Sequence, residues 1–207
     1  MNFRFIVSLL SGLAYMASSS FYVLGVAKAK IKPNIGSFLI WFFLNVSLLI
    51  SLIAAHAWNI LPFVIVATIG SGTVCTLSLK FKRFYFSKFD AIGTALGITG
   101  AIVWLLTRQA KWNIYIIALV NTITFIPLIV KTIRFPHYER ALPWRFNFLG
   151  AILLIVSIPS TAVVKWIIPL QQFLCSATIN IVLLGGFVGF MADRQKRGVL
   201  SGRADNR

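Results

Sequence analysis

Charged and apolar positions segregate along this chain into long uncharged stretches separated by short basic ones. Residues 5–27, 33–79, 91–107, 112–130, 146–164 and 166–192 contain no Asp, Glu, Lys or Arg. A helix that crosses the roughly 30 Å hydrocarbon layer of a bilayer needs about 20 apolar residues. The second stretch is long enough for two such helices and breaks at His56, Trp58, Asn59 and Pro62. Seven spans are therefore predicted, near 5–27, 36–56, 60–80, 90–107, 112–131, 145–164 and 166–190. The stretches are apolar on every side and do not alternate with period two, so they predict helices and not barrel strands.

Composition agrees with the pattern. The chain is 58% hydrophobic with a mean hydropathy of +0.87, and 12% of it is charged. A soluble domain carries about 25% charged residues to solvate its surface, so this chain needs a bilayer as its solvent. The formal charge of +16 suggests a membrane orientation and contact with anionic headgroups, since the basic residues fall between the apolar stretches. With no RNA- or DNA-reading motif, no nucleic-acid partner is expected. Lys28, Lys30 and Lys32 follow span one, and Lys80, Lys82, Arg83 and Lys88 follow span three. Lys131, Arg134, Arg140 and Arg145 follow span five, and Arg194, Lys196, Arg197, Arg203 and Arg207 follow span seven. With seven spans these lie on one side, against Arg4, Arg108, Lys111 and Lys165 on the other. The bias predicts a plasma (bacterial inner) membrane protein with its N-terminus outside and its C-terminus in the cytoplasm. The first stretch is too long, and too poor in preceding basic residues, for a signal peptide.

A repeat divides the chain. Lys28, Pro33 and Trp41 recur 103 residues later as Lys131, Pro136 and Trp144. The same offset carries spans one, two and three onto five, six and seven, leaving span four as a linker. An odd linker makes the halves run in the same direction, related by a pseudo-two-fold axis along the bilayer normal. The expected fold is all-α integral membrane, two parallel three-helix bundles joined by a linker helix (3+1+3). The predicted boundaries are 1–83 and 111–192 for the repeats, 84–110 for the linker and 193–207 for a disordered cytoplasmic tail. Pro33 and Pro136 cannot continue a preceding helix and suit the first turn of the next. Trp41 and Trp144 stand two turns on, where each can anchor at an interface or line a pore.

The segments Lys32-Pro33-Asn34-Ile35-Gly36-Ser37-Phe38-Leu39-Ile40-Trp41 and Asn121-Thr122-Ile123-Thr124-Phe125-Ile126-Pro127, with Lys131, Pro136 and Glu139, resemble the PQ-loop and SWEET-like superfamily of 3+1+3 membrane proteins. The resemblance implies hinge prolines, for which Pro127 is the match. Two features depart from the family pattern. Asn121 stands where members commonly carry an acidic residue, and Pro127 is followed by Leu128 instead of glutamine.

Polar residues inside spans are functional suspects because hydrocarbon penalises them. Ser and Thr bond to the carbonyl one turn back, whereas Asn does so less readily. Asn121, Asn180 and Asn45 are therefore the candidate solute ligands, with Trp41 and Trp144 as supports. Asn147, close to the interface, reads as structural. Pro127, Pro33, Pro136 and Glu139 are candidates for hinge or gate, Glu139 beside Arg134 or Arg140 in a cytoplasmic loop. No charge falls near a span centre, which argues against a proton relay of buried carboxylates. Cys75 and Cys175 lie in apolar runs without metal-ligand spacing and read as small buried hydrophobes. No Ser–His, paired-carboxylate or metal constellation suggests an enzyme, and no cofactor is expected. Gly93-xxx-Gly97 has the spacing of a close helix contact, either docking the linker or joining two protomers as a homo-oligomer. The function expected is a facilitator of a small neutral polar solute by alternating access. The alternative is a non-transporting sensor or assembly partner on the same scaffold.

Overall fold

A computed structural model describes residues 3–81, 110–158 and 163–204, and positions 88, 91, 92, 95, 99, 102 and 106 singly. Among the described residues the fold is all-helical. Its helices are α1 (Phe3–Ala27), α2 (Ile35–Ala54), α3 (Leu61–Lys80), α4 (Ala110–Arg134), α5 (Ala141–Ser157) and α6 (Val163–Ala204), with 3-10 turns at Trp58–Ile60 and Pro136–Tyr138. Among the described residues five stretches are long and apolar enough to cross a membrane: Phe3–Ala27, Ile35–Ala54, Trp58–Lys80, Trp112–Arg134 and Lys165–Gly185. The sixth, α5, has 17 residues and is about 26 Å long at the helical rise. The predicted fourth span near 90–107, with Asp90, Gly93, Gly97 and Gly100, lies outside the described residues apart from isolated helical positions.

The helix ends follow local chemistry. Asn34 caps α2, its Oδ1 accepting from Gly36 N at 3.2 Å. The break after α2 falls at His56, which takes a left-handed φ of 52°, and Pro62 sits in the first turn of α3. The predicted sixth span is corrected: α5 stops at Ser157, not 164. Ile158 precedes Pro159 and is extended, with ψ of 121°, because the proline ring disfavours helical backbone in the residue before it. The tail expected to be disordered from 193 is helical to Ala204. No proline follows Pro169, and Gly198 and Gly202 weaken the hydrogen-bond ladder without interrupting it.

The helices pack as a closed ring. α1 contacts α3, α3 contacts α2, α2 contacts α4, α4 contacts α6, α6 contacts α5, and α5 returns to α1. The α1–α5 contact is the most extensive, and small residues permit it. Ser11 Oγ donates to Gly150 O at 2.8 Å, and a Cβ on Gly150 would stand 2.7 Å from Tyr15 Cδ2. The cross-ties define two ends. Lys32, Lys131 and Glu139 meet at one, and Asn59 meets Ser8 and Ser157 at the other. Lys28, Lys30, Lys80, Arg134 and Arg140 lie in the chain segments at the first, basic end. Buried apolar side chains form two clusters. One contains Leu48, Leu52, Ile60, Phe63, Ile114 and Ile117, and the other Tyr22, Phe38, Trp41, Phe125, Trp144, Cys75 and Cys175.

Candidate functional site

Many polar residues face into the ring, while Ser20, Thr76, Thr122 and Thr178 face outward. In α1, Ser8, Ser11, Tyr15, Ser18 and Tyr22 recur at three- and four-residue spacing and are all buried, whereas Leu10, Leu13 and Leu24 face out. In α4 the buried face runs through Asn113, Ile117, Asn121, Phe125 and Leu128. With lipid outside the ring, this inverts the pattern of a water-soluble bundle.

Between the two apolar clusters lies a cavity of about 100 Å³, lined by side chains from all six helices. That volume holds several waters or a small solute. Its polar lining is Tyr15, Ser18 and Ser19 from α1, Asn45 from α2, Ser71 from α3, Asn121 from α4, Asn147 from α5 and Gln172 from α6. Among the described residues no charged side chain lines it. Several of these groups are already engaged. Ser18 Oγ donates to Pro143 O at 2.8 Å, Ser71 Oγ to Ala67 O at 2.7 Å, and Gln172 Nε2 to Asn147 Oδ1 at 3.0 Å. The amides of Asn45 and Asn121 have no hydrogen-bond partner among the described residues, although both residues are buried. Tyr15 Oη stands beside Gln172 without hydrogen-bond geometry to any partner.

An aromatic collar closes the cavity toward the basic end. Successive ring centroids lie 5.1 Å apart for Tyr22–Phe38, 4.9 Å for Phe38–Trp41, 4.8 Å for Trp41–Phe125, 6.1 Å for Phe125–Trp144 and 6.1 Å for Trp144–Tyr22. These spacings are those of favourable tilted and edge-on pairs. Trp41 Nε1 donates to Thr124 Oγ1 at 2.7 Å, which fixes α2 against α4.

Behind the collar sits Glu139, whose side chain has no exposed surface. Its Oε1 accepts from Lys131 Nζ at 2.6 Å and from Tyr22 Oη at 3.3 Å, and its Oε2 accepts from Trp144 Nε1 at 3.3 Å. Lys131 Nζ also donates to Lys32 O, and Lys32 Nζ stands 4.2 Å from the Tyr138 ring centroid. The opposite end uses neutral ties. Asn113 Nδ2 donates to Ser47 Oγ at 2.9 Å and Ser51 Oγ at 2.6 Å, and Asn59 Nδ2 to Ser157 O at 2.9 Å.

Of the residues singled out from sequence, Asn45, Asn121, Trp41 and Trp144 meet at the cavity. Asn180 does not. Its Nδ2 donates to Trp144 O and Ser176 O, each at 2.9 Å, so its amide ties α6 to α5. Asn147, expected to be structural, lines the cavity. Glu139 is paired with Lys131 and not with Arg134 or Arg140, and it is buried instead of lying in a solvated loop. The 3-10 turn after α4 folds it inward beneath Tyr22 and Trp144. Pro127 is inside α4, while Pro33 and Pro136 stand in the connections at the basic end. The hydroxyls of Thr73, Thr76, Ser78 and Thr122 bond one turn back, as expected of them. Both cysteines are free and buried.

Tyr15, Tyr22, Gln172 and Asn113 were not singled out. The three- and four-residue spacing of polar residues in α1 is the signal that marks the first two. Among the described residues no group of His, Cys, Asp or Glu is placed to hold a metal. No family model, curated protein or solved structure matches the chain.

Proposed function

We propose that this chain is a plasma (bacterial inner) membrane facilitator that passes a small neutral polar solute through the ring by alternating access. Its N-terminus is outside and its C-terminus cytoplasmic. In this reading α1–α3 and α4–α6 are the two repeats of a 3+1+3 fold of the PQ-loop and SWEET-like kind, with the predicted fourth span as linker. The packing order supports it, because exchanging the first three helices for the last three leaves the list of contacting pairs unchanged. So does the burial register. Ser18, Tyr22 and Trp41 correspond to Asn121, Phe125 and Trp144 at the 103-residue offset, and all six line the cavity. In the third helix of each half the register is 101 residues, where buried Gly70, Ser71 and Val74 match Gln171, Gln172 and Cys175.

The observation that carries the proposal is the pair of unpartnered amides, Asn45 from one half and Asn121 from the other, in an uncharged cavity. Neither amide is among the fully enclosed polar groups without a partner, which are Tyr15 Oη and Gln171 Oε1, so both open onto the cavity. Water or a solute offering both donor and acceptor groups can pair with them there. A neutral hydroxyl- or amide-bearing molecule fits, whereas an ion meets no counter-charge. Thermal-shift screening of the purified protein against sugars, vitamins and nucleosides identifies the solute through ligand-induced stabilisation. Uptake of that solute into loaded vesicles is expected to be abolished by Asn121→Ala with expression and melting temperature retained. Unchanged uptake would refute the assignment.

A further inference from the structure

We infer that Lys131 and Glu139 form a latch that locks the two halves of the ring together at the basic end and gates the cavity there. The inference rests on the transport reading for its purpose, but its geometry is independent of any solute. One carboxylate gathers donors from three helices: Lys131 from α4, Tyr22 from α1 and Trp144 from α5. Two of those donors are collar rings, so the acid holds the collar shut as well as the backbone. Lys131 spends a second hydrogen bond on Lys32 O, in the connection between α1 and α2. Lys32 in turn lies over Tyr138, in the turn that precedes Glu139. At the basic end a single charge pair thereby helps tie the first three helices to the last three. Of the ties named above, this is the one between opposite charges.

The physical consequence is cooperativity. Glu139 has no exposed side-chain surface, so each lost donor leaves its charge less compensated, while Lys131 keeps 15% of its side chain exposed and gives water a route to the pair. The pair either stays whole or breaks with the entry of water, which separates Tyr22 from Trp144 and opens the collar. The collar rings belong to the same apolar cluster as Cys75 and Cys175, so parting them loosens the packing around both thiols. The two native thiols are therefore built-in reporters of the gate.

The test is the rate of N-ethylmaleimide labelling of Cys75 and Cys175, read by mass spectrometry on the full chain in lipid nanodiscs without solute. The wild type should label slowly. Glu139→Gln, which keeps size but removes the charge, should label about tenfold faster or more, and so should Lys131→Met. The double variant should label no faster than the faster single one, because both remove the same latch. Wild-type labelling rates in a folded Glu139→Gln protein overturn the latch. Additive rates overturn the pairing. If neither variant folds, the pair is a brace of the whole fold and the gating role fails. Loss of uptake in Asn121→Ala bears on the transport reading alone, so the two claims fail separately.

Discussion

The two ends of the helix ring are closed by different chemistry. At the basic end buried Glu139, paired with the partly exposed Lys131, stands behind five aromatic rings, and the contacts converge on one carboxylate. At the opposite end aliphatic side chains pack around neutral bonds from Asn113 and Asn59. A neutral tie can be replaced by water at little free-energy difference, since the groups it releases are readily solvated. A buried charge pair is all or nothing. The neutral closure yields gradually and the charged one switches, which suits the opposite end to breathing and the basic end to gating.

The comparison can be broken most directly at Glu139. Glu139→Ala leaves the Lys131 ammonium, Tyr22 and Trp144 without their acceptor, and a loss of about 3 kcal/mol is expected. Chemical denaturation in a fixed detergent, monitored by tryptophan fluorescence, measures it. A loss as small as that from a neutral tie would erase the contrast between the ends. Asn113→Ala should cost about 0.5–1 kcal/mol in the same assay, the range of single interhelical hydrogen bonds in membrane proteins. Ser51 Oγ retains its bond to Ser47 O in that variant, which limits the damage. The smallest effect is expected in the cavity between the ends. Asn45→Ala removes an amide with no partner, so stability should stay within about 0.5 kcal/mol of wild type or rise, while solute-induced stabilisation falls. A large destabilisation would place Asn45 among the structural ties.

The break at His56–Pro62 and the recurrence of Trp41 as Trp144 were legible because each rests on local chemistry: proline and the charge-free length of a span. The burial of Glu139 was not. From sequence it is an acid among Arg134, His137 and Arg140, and a solvated loop pair is the natural reading. Only the 3-10 turn at Pro136–Tyr138, which folds the carboxylate inward, selects Lys131 over its nearer basic neighbours. Asn180 misled for a related reason. An asparagine inside a span must find partners, but sequence does not distinguish a cavity from a neighbouring carbonyl one helix away.

What the sequence determined alone is the solvent and the secondary structure. Hydrocarbon forbids unsatisfied backbone, so apolar stretches of this length become helices whatever surrounds them. Which polar side chains share a cavity was decided by tertiary structure, because helix rotation and ring order place residues 103 apart, or far from any repeat, within reach of one another. Ser18 and Asn121 line one space for that reason, and Tyr22 meets Glu139 from a different helix.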